Sequence, residues 1–272
     1  MRLIGNREPR PADSDYLLAN SGREAHARFA ALSELFDDVT IHHLEKCGVG
    51  RGWNCLEVGG GGGSIARWVA DQVGPAGHVL ATDLDTRFLE SVEAPNLEVR
   101  RHDISADSLP QAAFDLVHAR LVLMHVAQRE HALARMISGL KPGGWIVCEE
   151  LDSASMQPDP EVSPGEVLLR THVAMMRVLD DGGVDRRYGR RLFKRLRAHG
   201  LVDVRAEARI FMCGRESAAV AMLRANFEQL REAMIDGNYI TQQQFEDDIA
   251  RLDDLDFIVP SGILWSAWGR RQ

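Results

Sequence analysis

The feature that most restricts the fold of this chain is a run of five glycines at positions 59–63. It follows the short apolar stretch Trp53-Asn54-Cys55-Leu56-Glu57-Val58 and leads into Ser64-Ile65-Ala66-Arg67-Trp68-Val69-Ala70. Ile65, Val69 and Val73 fall on one helical face, so the order is strand, glycine loop, helix. Glycines let a backbone approach a ligand more closely than any side chain permits, and this loop presents its amide hydrogens at a helix N-terminus. Such a loop suits a nucleotide-like ligand. One frame, Gly61-x-Gly63-x-x-Ala66, matches the dinucleotide fingerprint, so the glycines alone do not separate one adenosyl-bearing ligand from another.

Downstream the same alternation repeats. A strand over 78–82 ends at Asp83-Leu84-Asp85, and a short helix through Phe88 and Leu89 follows it. A third strand over 97–101 ends at His102-Asp103-Ile104, a fourth covers 114–118, and a helix carrying Leu133, Met136, Ile137 and Leu140 closes at Lys141-Pro142-Gly143-Gly144 before a fifth strand over 145–149. Strands alternating with helices imply parallel βα units, whose ligands sit beyond the carboxyl ends of the strands. With 272 residues, 45% of them hydrophobic, the chain can fill one large core. The remaining segments read as a helical stretch through residue 47, a helix carrying Thr171, Met175 and Val178, and a helix over 192–199. A strand near 202–211, a helix carrying Val220, Leu223, Phe227, Leu230 and Met234, and a last strand over 257–268 broken by Pro260-Ser261-Gly262 complete the reading.

The acids around the glycine run carry more information than the glycines. Glu57 precedes Gly59 by two residues, Asp83 closes the second strand, and Asp103 closes the third. This order resembles the class I S-adenosylmethionine-dependent methyltransferases of the small-molecule type found in bacterial secondary metabolism. The match runs from Glu57-Val58-Gly59-Gly60-Gly61-Gly62-Gly63, through Ala81-Thr82-Asp83-Leu84-Asp85 and Arg101-His102-Asp103-Ile104, to Phe114-Asp115-Leu116-Val117-His118-Ala119-Arg120 and Leu140-Lys141-Pro142-Gly143-Gly144-Trp145. The resemblance implies a Rossmann-like α/β fold: a seven-stranded, mostly parallel sheet with an antiparallel last strand and helices on both faces. It implies S-adenosyl-L-methionine as cofactor, with Glu57 by the loop and Gly59, Gly61 and Gly63 passing its methionine and ribose portions. Asp83 would take the ribose hydroxyls, with Asp85 as the second choice and helix capping as the competing role for Asp85. Leu84 would touch the adenine, Asp103 and Ile104 its edge and face, and the backbone around Ala119 and Arg120 the methionine end. Tyr16 lies where relatives fold an N-terminal segment over the cofactor.

Methyl transfer from a sulfonium mainly requires alignment of nucleophile, methyl and sulfur, and a base is needed only for an acceptor that arrives protonated. His125, just past the fourth strand, is the candidate general base, because small-molecule O-methyltransferases that this region resembles use a histidine near that point. His118 reads as structural, His42, His43 and His102 as solvated or core histidines, and no metal spacing is present. Met175, Met176 and Phe227 read as packing residues, and the arginine-rich run 186–197 as a solvated helix face. The domain expectation is an N-terminal helical cap over 1–48 and a methyltransferase domain over 49–272, with lid insertions near 152–188 and 215–255 that could roof a pocket.

A formal net charge of -8 disfavours nucleic acid and anionic membrane surfaces as partners. Cys47, Cys55, Cys148 and Cys213 show no pairing or ligand spacing, and neither a signal peptide nor a membrane span is read, so the expected setting is cytoplasmic. The expected partner is a small-molecule substrate, with a homo-oligomer left open. The functional reading is methyl transfer to a small organic molecule, oxygen being the first acceptor atom. Carbon or nitrogen transfer is the alternative, and so is a cofactor-binding homologue that no longer methylates and serves as a cyclase or partner protein.

Overall fold

The computed structural model describes residues 17–18, 24–156 and 170–272. Seven strands form one sheet: β1 (Asn54–Val58), β2 (His78–Asp83), β3 (Leu97–Arg101), β4 (Phe114–Arg120), β5 (Leu140–Asp152), β6 (Val202–Arg209) and, last in the chain, β9 (Ile263–Arg270). Their order is β3-β2-β1-β4-β5-β9-β6. The first five run parallel to one another, whereas β9 is antiparallel to both β5 and β6. The expected Rossmann-like sheet with an antiparallel last strand is thus present.

Helices on both faces bury the central strands, which is why β1, β4 and the second half of β5 are buried nearly continuously rather than alternately. Among the described residues the helices are α1 (Glu24–Lys46), α2 (Ser64–Val73), α3 (Arg129–Gly139), α4 (Arg170–Asp181), α5 (Leu192–Ala198), α6 (Ala218–Asp236) and α7 (Gln242–Arg251). Ile65, Val69 and Val73 of α2 pack with Val79, Leu116 and Val147 of the sheet, as their one-face spacing demands. None of the described helices is long and apolar enough to cross a membrane.

Three local readings change. The apolar stretch near 257–261 is not the start of the last strand: β8 (Ile258–Pro260) pairs with β7 (Met212–Gly214) in a separate antiparallel ribbon. Pro260 lacks an amide hydrogen and cannot extend a ladder on both sides, so the chain re-enters the large sheet only at Ile263. β5 begins at Leu140 rather than 145, because Leu140 pairs with Phe114 before a register shift that absorbs the Pro142-Gly143 bend. The region 215–255 holds two helices, not one, since α7 follows α6.

Candidate active site

Because β1 to β4 are parallel, their carboxyl ends share one edge, and the chain leaves β1 to one side and β4 to the other. That reversal opens a crevice between neighbouring strand ends. The glycine loop fills its middle. Gly59 and Gly60 both donate their amides to the Thr82 carbonyl, at 2.8 and 3.0 Å. Gly61 has φ +51°, and a β-carbon there would lie 2.7 Å from a ring carbon of Phe29 on α1, so both conformation and contact demand glycine. Gly63, at φ +82°, caps α2 without a side-chain acceptor for the first amides of that helix.

Asp83 ends β2 against this loop. One carboxylate oxygen accepts the Gly61 amide at 2.9 Å and the other the Asp85 amide at 3.1 Å. Burial raises its pKa, with the Asp85 and Gly61 amides opposing the shift. Leu84 beside it is 47% exposed. Asp85 accepts both the amide and the side-chain Nε of Arg87, a local contact that is not the helix cap expected of it, since the following 3₁₀ turn, Leu89–Ser91, starts at Phe88 with no side-chain cap. One strand further out, Asp103 accepts the amide and hydroxyl of Ser105, at 2.8 and 2.6 Å, while Ile104 is buried. Ala119 is fully buried in β4, and Arg120 at its end donates to Thr40 and Asp37 of α1, each at 2.9 Å. Tyr16 lies outside the described residues.

Sequence reasoning missed a buried polar chain that runs from the loop beneath α1. Glu57 and His118 stand opposite one another on β1 and β4, and Glu57 Oε2 lies 2.6 Å from His118 Nδ1. His118 Nε2 sits 3.6 Å from Glu149 of β5, an ion-pair distance rather than a hydrogen bond. Glu149 also accepts the hydroxyls of Thr40 and Ser266, and faces His43 Nδ1 at 3.2 Å. Burial opposes charge on His118, but the Glu57 and Glu149 carboxylates prevail and lift its pKa to about 9. Burial likewise works against the Glu149 charge, yet His118 and His43 hold that carboxyl well below the usual range. The available signal was the pair Glu149-Glu150 inside an apolar strand, since buried acids require partners.

Glu150 does different work. Past β4, Leu121 takes a left-handed φ of +57° and a 3₁₀ turn, Leu123–His125, follows. The amides of Val122, Leu123 and Met124 all donate to the Glu150 carboxyl, at 3.1, 2.6 and 3.3 Å. Burial outweighs those donors and pushes its pKa up to about 8. The turn so held carries His125, whose imidazole is driven down to about 4 by burial and then by Arg28 and Arg129. Such a histidine is neutral at physiological pH, hence able to accept a proton, but it is a weak base.

Met175 and Phe227 are core residues, in line with their packing role. The arginine-rich run is partly neutralised within the chain, through Arg186–Asp180, Arg190–Asp152, Arg191–Asp185 and Arg195–Glu130. All four cysteines are free and buried.

A family model described as a methyltransferase domain matches residues 56–148, from within β1 to within β5. Methyltransferase str2 of Strobilurus tenacellus is 29% identical over 168 residues, covering 61% of this chain and 59% of that protein. The ubiquinone/menaquinone biosynthesis C-methyltransferase UbiE of Ectopseudomonas mendocina is 32% identical over 138 residues, covering 44% of this chain and 54% of its own length. The chain thus spans little more than half the length of these curated relatives. Among solved structures, phosphoethanolamine N-methyltransferase 2 of Haemonchus contortus, in complex with S-adenosyl-L-methionine, shares the fold with a TM-score of 0.62. It is 15% identical, and the match covers 97% of this chain and 61% of that one.

Proposed function

We propose that this chain is an S-adenosylmethionine-dependent methyltransferase acting on a small organic acceptor, with oxygen as the acceptor atom. The observation that carries the reading is the contact between the Asp83 carboxylate and the Gly61 amide at the crevice between strand ends. It joins the acid of the second strand to the loop of the first, so a ligand lying along the loop meets a carboxylate with lone pairs to spare. The fit to an adenosyl group rests on three further features. Gly61 and Gly63 hold positive φ, α2 has no side-chain cap, and Asp103 and Ile104 stand at the next strand end.

In this reading Gly59, Gly61 and Gly63 bind the methionine and ribose portions, Asp83 the ribose hydroxyls, and Leu84, Asp103 and Ile104 the adenine. Glu57 is fixed by His118 beside the loop, and Ala119 and Arg120 border the methionine end. The bound cofactor supplies an activated methyl on a sulfonium, and the chain's own contribution is alignment, which can be worth roughly 7 to 11 kcal/mol. His125 is the group to hold a phenolic or hydroxyl proton.

Calorimetry with S-adenosylhomocysteine and, separately, NAD tests the reading. Binding of the former without the latter is expected, and the reverse would overturn it. Carbon transfer is the second reading, favoured by the similarity to a C-methyltransferase. Product analysis with a labelled methyl group separates the two.

A further inference from the structure

The large sheet ends at β6, which pairs with β9 on one side and, among the described residues, with no strand on the other. A free edge of this kind carries a row of amides and carbonyls able to take another strand. Val204 and Ala206 of β6 pack on the main core, whereas the alternate residues Asp203, Arg205, Glu207 and Arg209 are exposed. Their signs alternate along the strand. Charge on an edge is often a guard against association, but such a guard works by repulsion, and this pattern read backwards is its own complement.

Within the chain these charges are only partly matched. Glu207 meets Lys46 of α1 at 2.7 Å and Asp203 lies 3.8 Å from Arg270, while Arg205 and Arg209 have no ion-pair partner among the described residues. The opposite edge of the sheet differs, since β3 pairs its own Arg100 with its own Glu98.

A second copy of the strand fits in one register. About a two-fold axis normal to the sheet, the two β6 strands run antiparallel with the same face up in both, so residues of one face stand opposite one another. With Ala206 opposite Ala206, each Arg205 faces Glu207 of the other copy and each Asp203 faces Arg209. A slide of two residues sets like charges together: Glu207 against itself with Arg205 against Arg209, or Arg205 against itself with Asp203 against Glu207. A slide of four leaves two of the four charges without a partner. The centre of the contact, Arg205 to Glu207, is clear of the register shift at Asp203, where φ is +52°. Ile210, 55% exposed just past the strand, comes near Val202 of the other copy.

We infer that this chain associates with a second copy of itself, edge to edge through β6, joining two seven-stranded sheets into one. The contact is independent of the methyl-transfer reading.

Sedimentation equilibrium of the full chain tests the inference, and a monomer–dimer equilibrium is expected. Because the axis presents every substitution twice, Arg205→Glu replaces two attractive pairs by two repulsive ones and should weaken the dimer roughly tenfold or more. Arg205 is exposed and unpaired among the described residues, so this change does not threaten folding. Glu207→Arg should weaken the dimer in the same way. Combining the two substitutions brings opposite charges together again and should restore most of the affinity, which a folding defect in either single variant would not do. A chain that is monomeric at every concentration measured would overturn the inference. So would a dimer indifferent to Arg205→Glu, or one that the double variant does not restore.

Discussion

An aspartate that braces the loop it borders has two ways to matter. Asp83→Ala removes an acceptor from the Gly61 amide as well as from any ribose hydroxyl, so we expect S-adenosylhomocysteine affinity to fall by about 1.5 to 3 kcal/mol in calorimetry. Asp83→Asn, which keeps an acceptor oxygen without the charge, should fall between the two. Unchanged affinity in the alanine variant would move the assignment to Asp85, although Asp85 is already held by Arg87. His125 gives a kinetic prediction. With its pKa near 4, it is unprotonated throughout pH 5.5 to 8, so kcat should show no histidine inflection there. His125→Gln should lower kcat by about 10- to 100-fold, the low end for general-base removal because a weak base has little to give, while cofactor-product affinity stays constant. An inflection near the ordinary histidine value would contradict the assignment. At this scale the sequence marked Asp83 because it follows directly on an apolar run, and Asp103 because it closes the next strand in the same order. It did not mark the partnership of Glu57, His118 and Glu149, since the pairing of β1, β4 and β5 that joins them is not local.

The elements divide along the same line. β1, β2 and β4 were legible within about two residues because buried parallel strands are short, apolar and punctuated by glycine or aspartate, and the edge strand β3 was legible by the alternation of Leu97 and Val99 with charged residues. β7 was not: three residues whose pairing partner lies more than forty positions away have no local signature. α7 was also missed, as its only apolar pattern is Phe245 and Ile249 among glutamines and acids. It did carry a readable signal, since Thr241 and Gln244 form a reciprocal capping box. α7 helps to order α4 as well, through Asp248, which accepts the amide of Thr171 at 2.8 Å and pairs with Arg170. Thr241→Ala should therefore cost about 1 kcal/mol in urea unfolding, the usual value of an N-cap, with an unchanged m-value. A larger loss would mean that α7 unfolds with α4 as one unit. α1 reaches the candidate site at several points. Its Phe29 covers Gly61, its Asp37 and Thr40 hold Arg120, and its Thr40 and His43 meet Glu149. The sequence showed that this helix exists but not that Arg28, Thr40 and His43 are buried along with its apolar face.

For the molecule as a whole, the displaced pKa values set a pH of greatest stability. His125 and His172 are pushed by burial to about 4, so between that value and 6.5 the unfolded chain binds protons that the folded chain does not, and stability rises with pH. Glu149, held below its ordinary 4.5, adds stability that is lost only as the solution becomes more acidic than that. Glu150 and His118 act in the other direction. The folded chain keeps a proton on Glu150 up to about 8, whereas the unfolded chain releases it above 4.5. The contribution of His118 is complete below 6.5 and lost as pH climbs through about 9. Asp83, also raised, trims the rise at its acid end. Below 6.5 two histidines favour folding with increasing pH against Glu150. Above it those gains are finished, while Glu150 and His118 both lose. A net charge already at -8 becomes more negative in the same direction, which adds self-repulsion. Unfolding free energy measured in urea should therefore peak near pH 6.5 and decline towards pH 8, by at most two protons' worth, roughly 2.7 kcal/mol per pH unit. Glu150→Gln keeps a carbonyl acceptor for the amides of the turn and removes one of the two protons, so it should halve the decline. A stability that is level or still increasing from pH 6.5 to 8 would mean that Glu150 is ionised in the folded chain and that the His118 imidazolium does not persist between its two glutamates.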